Sequence, residues 1–246
     1  MISVCMATYN GESFLSQQIE SILPQLGNHD ELIICDDGSS DSTLKIIESF
    51  SDPRIRLYRN RFRNHILNFE FALNKAKGDF IFLSDQDDVW FPDKVKTMLS
   101  HLKSRDLVCH NSILTDKDLN HPGDRTFFND DPEKKTGFIK NLWHNQYVGC
   151  CLAFNRKILS KALPFPKGLI THDTWIGLVS ELAGHPKFIS EPLIYFRRHG
   201  ANASSTGEKS RLTVKEMISY RLTLLKGIMN NFIFHKKENN LQNVDI

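Results

Sequence analysis

Short apolar runs alternate with segments of helical periodicity through the first hundred residues, and this alternation limits the fold more than any other feature of the sequence. Strands are predicted at residues 2–7, 31–35, 54–58 and 79–83. Helices are predicted at residues 15–26, 44–50, 69–76 and 92–102, where apolar side chains recur at three- and four-residue steps. This βαβα order predicts an α/β fold with a mostly parallel sheet and helices on both faces. In such folds, ligands bind at the carboxyl ends of the strands.

The pattern becomes looser after Val108. A polar stretch rich in Asp, Asn and Pro predicts a long loop at residues 115–135. Further elements are predicted as a strand at 150–154, a helix at 175–183 and a strand at 193–197. We expect the stretch at 115–147 to form one side of any binding site.

Composition excludes several classes of protein. The chain has 246 residues, of which 40% are hydrophobic, so it can bury one sizeable core. A net charge of +2 with scattered basic residues disfavours a nucleic-acid partner. The five cysteines are odd in number and lack a CxxC pair, and the first residues read as a strand, so we expect reduced, mostly buried thiols and a cytoplasmic location. No apolar run approaches the roughly 20 residues that cross a bilayer.

A carboxylate group follows the strand at 79–83. Asp85, Asp87 and Asp88 lie together in DQDD, and carboxylates held so close repel each other unless a cation or hydrogen bonds stabilise them. Their oxygen ligands suit Mg²⁺ or Mn²⁺, with substrate phosphate and water completing the coordination. The alternative is that these aspartates cap the helix that begins near Pro92.

A second carboxylate-bearing turn, DDGS at residues 36–39, follows the strand at 31–35. Asp37 at this position can accept the imide hydrogen of a pyrimidine base, and Gly38 lets the backbone approach a ligand. Asp, Gly and Ser are also the ordinary residues of turns, so a simple turn with a helix N-cap is the favoured interpretation of this motif alone.

Six short motifs in order resemble the family 2 glycosyltransferases of the GT-A fold. They are ATYNG at 7–11, DDGSSD at 36–41, SDQDDVW at 84–90, GCCLAFNR at 149–156, HDTW at 172–175 and YFRRHGAN at 195–202. The last three resemble the rhamnosyltransferase-type branch that builds bacterial surface polysaccharides. The resemblance implies a GT-A catalytic domain at 1–205, with a nucleotide-sugar-binding half at 1–110 and an acceptor-side half at 111–205. A helical C-terminal extension follows at 206–246.

The resemblance also implies the residues of a site. It places a nucleotide-sugar pocket at Thr8, Tyr9, Asn10, Glu12, Asp37, Asp85, Gln86, Arg197 and His199. It implies a metal site at Asp85, Asp87 and His199, with Asp87 favoured as the direct ligand of Mn²⁺ or Mg²⁺. Asp173 lies where the family keeps the general base that takes the acceptor proton in an inverting transfer.

Three of these assignments have alternatives. Asp173 is also a candidate N-cap of the following helix, and His199 is a candidate structural histidine. Arg198 stands where the family more often has a neutral polar residue, so either Arg197 or Arg198 is a candidate to face the diphosphate.

Other chemistries lack their motifs. The cysteines and His110 and His144 fit no usual zinc spacing, and the sequence contains neither a GxxxxGK[ST] loop nor a GxGxxG turn. A sugar-phosphate nucleotidyltransferase needs a basic, glycine-rich N-terminal loop, which residues 6–10 do not supply. A non-catalytic nucleotide-sugar-binding or assembly subunit is the remaining alternative, although Asp85, Asp87 and Asp173 argue against it.

The end of the chain, at residues 211–237, has apolar and basic side chains at helical spacing. A basic amphipathic helix can lie on an anionic membrane, which predicts peripheral contact with the cytoplasmic face of the inner membrane. Packing on the catalytic domain, or on a second copy in a homodimer, is the alternative. The expected partners are a nucleotide-diphosphate sugar donor and a glycan or lipid-linked saccharide acceptor.

Overall fold

An eight-stranded sheet organises the chain. The computed structural model describes residues 1–121, 126, 131–200 and 213–234. The strands are β1 Ile2–Thr8, β2 Glu31–Asp36, β3 Ile55–Arg59, β4 Phe80–Ser84, β5 Val89–Trp90, β6 Leu107–Thr115, β7 Leu152–Asn155 and β8 Pro186–Arg197. The helices are α1 Leu15–Ile22, α2 Thr43–Ser49, α3 His65–Lys75, α4 Lys94–Leu102, α5 Phe138–Trp143, α6 Arg156–Ala162, α7 His172–Ala183 and α8 Val214–Met229.

The sheet has a parallel half and a mixed half. Its strand order is β3-β2-β1-β4-β7-β6-β8-β5, and β3, β2, β1 and β4 run parallel. β7 joins the two halves by pairing antiparallel with β4 and β6, whereas β6 and β8 pair parallel. The predicted α/β architecture with a mostly parallel central sheet and flanking helices is therefore confirmed.

The first half forms as the apolar pattern predicts. Every residue of β2 is buried, and α1 turns Leu15, Ile19 and Ile22 inward while Glu20 stays exposed. Gly78 lies where β4 approaches β1, since a Cβ on it would be 2.6 Å from the backbone nitrogen of Ser3. The ends of the parallel strands are thereby held in one register.

The second half departs from the sequence prediction in detail. Cys150 and Cys151 were predicted to begin a strand, but they lie in a 3-10 turn, Gly149–Cys151, and the strand starts at Leu152. The reason is that the Cys151 backbone N–H donates to the Val148 carbonyl, and the Cys150 carbonyl accepts from the Lys94 ammonium. β5, β6, α5 and α6 were not predicted, and β8 is longer than the predicted strand.

The long loop predicted at 115–135 is described only in part. Asp116 accepts hydrogen bonds from the backbone N–H groups of Asp118 and Asn120, which closes a turn directly after β6. Residues 122–125 and 127–130 lie outside the described part, as does the predicted boundary between 205 and 206.

α8 packs on the rest of the protein through one face. Leu224 and Ile228 are buried, and a Cβ on Gly227 would lie 2.9 Å from Pro166 and 3.1 Å from the Trp175 ring. The residues after 234, including Lys236 and Lys237 of the predicted helix, lie outside the described part. Among the described helices, none combines the length and the apolar character needed to cross a bilayer.

Candidate active site

A cleft of about 600 Å³ opens where β1, β2 and β4 end. Sites for small molecules and cofactors occupy about 300–1,000 Å³, so the cleft is large enough for a nucleotide-sized ligand. Seven of the residues that the sequence predicted line it together: Thr8, Tyr9, Asp37, Asp85, Gln86, Asp87 and Asp173. Asn10, Glu12, Arg197 and His199 are not among the lining residues.

Gln86 holds the loop after β1. Its side-chain amide accepts from the Tyr9 N–H at 2.9 Å and donates to the Tyr9 carbonyl at 3.0 Å. A Cβ on Gly11 would lie 2.5 Å from the Gln86 amide oxygen, so only glycine leaves room for this contact. The Tyr9 side chain itself is 57% exposed at the mouth of the cleft. The arrangement fixes the backbone of Tyr9 and leaves its ring accessible to a ligand.

Asp37 is a buried wall residue. Its carboxylate accepts backbone N–H groups from Arg63 at 3.0 Å and Asn64 at 2.8 Å, so it fixes the segment that leads into α3. The N-cap of α2 is Ser42, so Asp37 does not cap that helix. A carboxylate has about four acceptor positions, which leaves capacity for a base at the cleft side.

Asn10 and Glu12 join two loops outside the cleft wall. The Asn10 side chain accepts from the Ser40 N–H, and Glu12 accepts from the Ser42 N–H. These contacts join the loop after β1 to the segment between β2 and α2. Direct contact of either residue with a nucleotide sugar stays a prediction.

Asp87 meets His199 at the end of β8. Nε2 of His199 lies 2.8 Å from a carboxylate oxygen of Asp87, and the imidazole packs against the Phe14 ring with centroids 4.7 Å apart. The structure thus brings together two of the three residues that the resemblance implied for a metal, although 112 positions separate them in sequence.

Arg197 holds the carboxylate loop from outside the cleft. Its Nε donates to the Asp87 carbonyl at 2.8 Å, and its guanidinium also contacts the carbonyl of Lys117 and the side chain of Gln17. Arg197 is 3% exposed, which reflects a supporting position; a contact with the diphosphate stays a prediction.

Asp85 and Asp88 form an acidic pair near Lys94, in which Asp88 is buried and Asp85 is half-buried. Burial, reinforced by the charges of Asp87 and Asp173, raises the pKa of Asp85 to about 7, and burial likewise raises the pKa of Asp88 well above its usual value. Lys94 is fully buried, donates to the Cys150 carbonyl at 2.8 Å and lies 3.9 Å from the centroid of the Trp90 ring. The N-cap of α4 is Asp93, so the acidic pair does not serve as its cap.

These carboxylates fit a divalent cation. Ligand atoms of Asp85, Asp88 and Cys150 lie within 4.8 Å of one another, and one oxygen of Asp88 is buried without a hydrogen-bond partner among the described residues. Burial raises the pKa of the Cys150 thiol well above its usual value, which keeps it protonated and unsuited to a hard cation. The carboxylates of Asp85 and Asp88 are therefore candidate ligands for a hard cation, and Asp88 was not among the ligands that the resemblance implied. Asp87 and His199 meet nearby but are not part of that cluster, so their role as metal ligands stays a prediction.

Asp173 faces the cleft from the first turn of α7. The N-cap position of this helix is Thr171, so Asp173 lies in the first turn and not at the N-cap itself. One oxygen of Asp173 accepts from the Thr174 N–H at 2.6 Å. Burial raises its pKa to about 6, close to the value of an effective base at neutral pH.

Part of the cleft wall was not foreseen from the sequence. It comprises the segment before and within α3, the turn before β7, and the residues next to Asp173: Arg63, Asn64, His65, Asn68, Phe69, Val148, Gly149, Thr171 and His172. His172 stacks on Phe69 with centroids 4.2 Å apart, and burial lowers its pKa to about 3, so it is neutral. The position of α3 after β3, at the same edge as the motif-bearing turns, was the available signal.

The family model for glycosyl transferase family 2 matches residues 3–163. The chain belongs to glycosyltransferase family 2. Over 242 residues this family 2 chain is 27% identical to dTDP-rhamnosyl transferase RfbG of Shigella flexneri, covering 90% of the chain and 82% of the relative. Over 101 residues it is 38% identical to the Escherichia coli UDP-Glc:alpha-D-GlcNAc-diphosphoundecaprenol beta-1,3-glucosyltransferase WfgD, covering 41% of the chain and 40% of the relative.

Solved structures show the same GT-A fold. Residues 1–349 of Staphylococcus aureus TarS, in complex with UDP-GlcNAc, give a TM-score of 0.71 at 16% identity over 93% of this chain and 66% of that one. The mannosyltransferase PcManGT from Pyrobaculum calidifontis, in complex with GDP-Man and Mn²⁺, gives a TM-score of 0.57 at 18% identity. The match covers 78% of this chain and 54% of that one. The family 2 chain therefore spans less than two thirds of the length of WfgD and of these two structures.

Proposed function

We propose that the protein is a metal-dependent, inverting glycosyltransferase. It moves a sugar, rhamnose or another hexose, from a nucleotide-diphosphate donor to a hydroxyl of a glycan or lipid-linked saccharide in bacterial surface polysaccharide synthesis. The observation that carries the proposal is a single cleft that holds both Asp87, beside His199, and the half-buried carboxylate of Asp173 from the first turn of α7.

Each group of residues in the cleft has its own role in a single in-line displacement. Thr8, Tyr9 and Asp37 line the part of the cleft assigned to the nucleotide. Asp85 and Asp87, with His199, would hold Mn²⁺ or Mg²⁺, which when bound supplies positive charge for the departing diphosphate. Asp173 takes the proton of the acceptor hydroxyl as the glycosidic bond forms, a contribution of about 10²–10⁴-fold. Attack opposite the leaving group inverts the anomeric carbon.

Turnover with and without metal tests this function. The probes are UDP-glucose, UDP-GlcNAc, dTDP-rhamnose and GDP-mannose, each with Mn²⁺, with Mg²⁺ and with a chelator, followed by release of the nucleoside diphosphate. We expect one donor to be consumed only with metal and to stabilise the fold by about 2.7 kcal/mol at a hundred times its dissociation constant. A donor that stabilises the protein without any turnover, with or without an acceptor, would instead support the non-catalytic binding subunit.

The exposed face of α8 supports peripheral contact with an anionic membrane at the cytoplasmic face. Its exposed apolar side chains recur at steps of three and four residues and form one stripe: Val214, Ile218, Leu222, Leu225 and Met229. Lys215, Arg221 and Lys226 lie on the same helix, and Arg221 packs over the ring of Trp143, which is 57% exposed. An apolar stripe with basic neighbours and an interfacial tryptophan suits an anionic lipid surface.

A further inference from the structure

The buried side of α8 reaches the loop that carries the base. The Tyr220 hydroxyl accepts from the Thr171 N–H at 3.2 Å and lies 2.9 Å from the Thr171 hydroxyl. Thr171 is the N-cap of α7 and lines the cleft two residues before Asp173. The C-terminal helix thus contacts the site through one side chain.

A chain of hydroxyl groups leads from Tyr220 to Asp173. The Tyr220 proton has two acceptors within reach, the Thr171 hydroxyl at 2.9 Å and the Thr171 carbonyl at 3.4 Å, and the shorter contact favours the hydroxyl. The Thr171 hydroxyl donates to the Thr174 hydroxyl at 2.7 Å, and that hydroxyl faces the Asp173 carboxylate at 3.4 Å. Hydrogen bonds in such a series polarise one another, so each donor strengthens the next toward the carboxylate.

Close packing sets the position of Tyr220. Gly227 lets α8 approach Pro166 and the Trp175 ring, and Leu224 and Ile228 of the same helix are buried. Trp175 belongs to α7 and donates from its indole to the Ala162 carbonyl at 2.7 Å. α8 therefore rests on the helix whose first turn carries Asp173.

We propose that Tyr220 is a positioning residue for Asp173, so that α8 belongs to the catalytic apparatus as well as to the outer surface. This proposal rests on the proposed function, because it assumes that Asp173 acts as the base. Tyr220 lies beyond residue 163, where the match to the family model ends.

The test is Tyr220→Phe, which removes the hydroxyl and keeps the ring. Tyr58→Phe is the matched control, since Tyr58 lies on the edge strand β3 and does not line the cleft. One net hydrogen bond corresponds to about a 3- to 10-fold change in rate. We expect kcat to fall by about that factor in Tyr220→Phe, with the donor KM unchanged and the melting temperature lowered by no more than about 2–4 °C, and no change in kcat in the control.

A second measurement does not depend on turnover. NMR of the carboxyl carbon of Asp173 reports its titration beside the Asp85 charge, the Thr171 and Thr174 hydroxyls and the Gly149 N–H. Since these donors favour the charged form, Tyr220→Phe should raise the pKa of Asp173. A fall in kcat with an unshifted titration, or a shifted titration with kcat within twofold of wild type, overturns the proposal. If the wild-type protein transfers no sugar, the proposed function fails. The NMR titration alone then tests whether the Tyr220 hydroxyl affects Asp173.

Discussion

At the scale of single residues, Asp87 is the side chain on which metal-dependent binding depends. Asp87→Ala removes the carboxylate that meets His199 and keeps the backbone carbonyl that accepts from Arg197. We expect metal-dependent donor binding and transfer to be lost while the fold remains intact. Calorimetric titration of the nucleotide sugar with and without Mn²⁺, beside Asp116→Ala as an exposed control, measures this. Near-normal turnover with Mn²⁺ at saturating donor would remove Asp87 from the metal site.

Lys94 is the buried cation that offsets the acidic pair. Lys94→Met keeps most of the side-chain volume but leaves the buried Cys150 carbonyl without its donor and removes the positive charge near Asp85 and Asp88. A buried polar group left without its partner costs about 1–3 kcal/mol, so we expect a loss of that order in the free energy of unfolding. Denaturant titration checks it, with Lys96→Met, exposed on the same helix, as the control. Equal stability of the two variants would show that the acidic pair is held without Lys94.

The pH dependence of turnover belongs to Asp173. Burial raises its pKa to about 6, and a base acts only when deprotonated, so turnover should fall as the pH drops through about 6. The free energy of unfolding depends on pH in the opposite direction from turnover. Between the unfolded value of about 3.9 and about 6 the folded protein holds a proton that the unfolded chain has released, so stability should fall as the pH rises through that window. An acidic limb near pH 6 that persists in the residual activity of Asp173→Asn would have to come from another group, such as Asp85.

At the scale of elements, α8 has two distinct faces. Its inner face packs through Leu224 and Ile228, which means that truncation would remove buried contacts and Tyr220 together with the outer stripe. Point substitutions on the exposed face test the role of the outer stripe and leave the buried contacts and Tyr220 in place.

Ile218→Ser with Leu222→Ser tests the outer face of α8. These side chains are 50% and 61% exposed, so we expect binding to phosphatidylglycerol vesicles to fall while turnover of a short, lipid-free acceptor stays within twofold. Vesicle co-sedimentation measures this, and Leu182→Ser, 46% exposed on α7, is the control. Unchanged vesicle binding, together with a shift from dimer to monomer in gel filtration, would assign the stripe to a homodimer.

The elements also show how far the sequence could predict the structure. The parallel half follows from apolar runs such as Glu31–Asp36, because a strand buried on both faces leaves a continuous apolar signal. The mixed half was harder to predict. The turn at Cys150 and Cys151 depends on the ammonium of Lys94, which lies more than fifty residues away, and no local pattern records such a contact.

At the scale of the whole molecule, the site combines residues that local patterns find with residues that only the fold brings near. Asp87 and Asp173 were predicted through their motifs, whereas Asn64 and Phe69 line the cleft because β3 ends beside β2. His172 lines it from the start of α7, where its ring stacks on Phe69. Tyr220 has no motif, and its contact with Thr171 depends on how α8 packs over α7. Such tertiary contacts explain why the supporting residues of the site escaped prediction.

Transfer by Asp173→Asn tests the central claim most directly, because the claim joins the cleft, the donor and the base in one reaction. Asparagine keeps the size of the side chain but cannot take the acceptor proton, so transfer should fall by about 10²–10⁴-fold. Affinity for the nucleoside diphosphate should change little. The melting temperature at pH 7 should stay the same or rise, since the buried charge is gone. A variant that keeps more than about a tenth of wild-type transfer would contradict the assignment of Asp173 as the base.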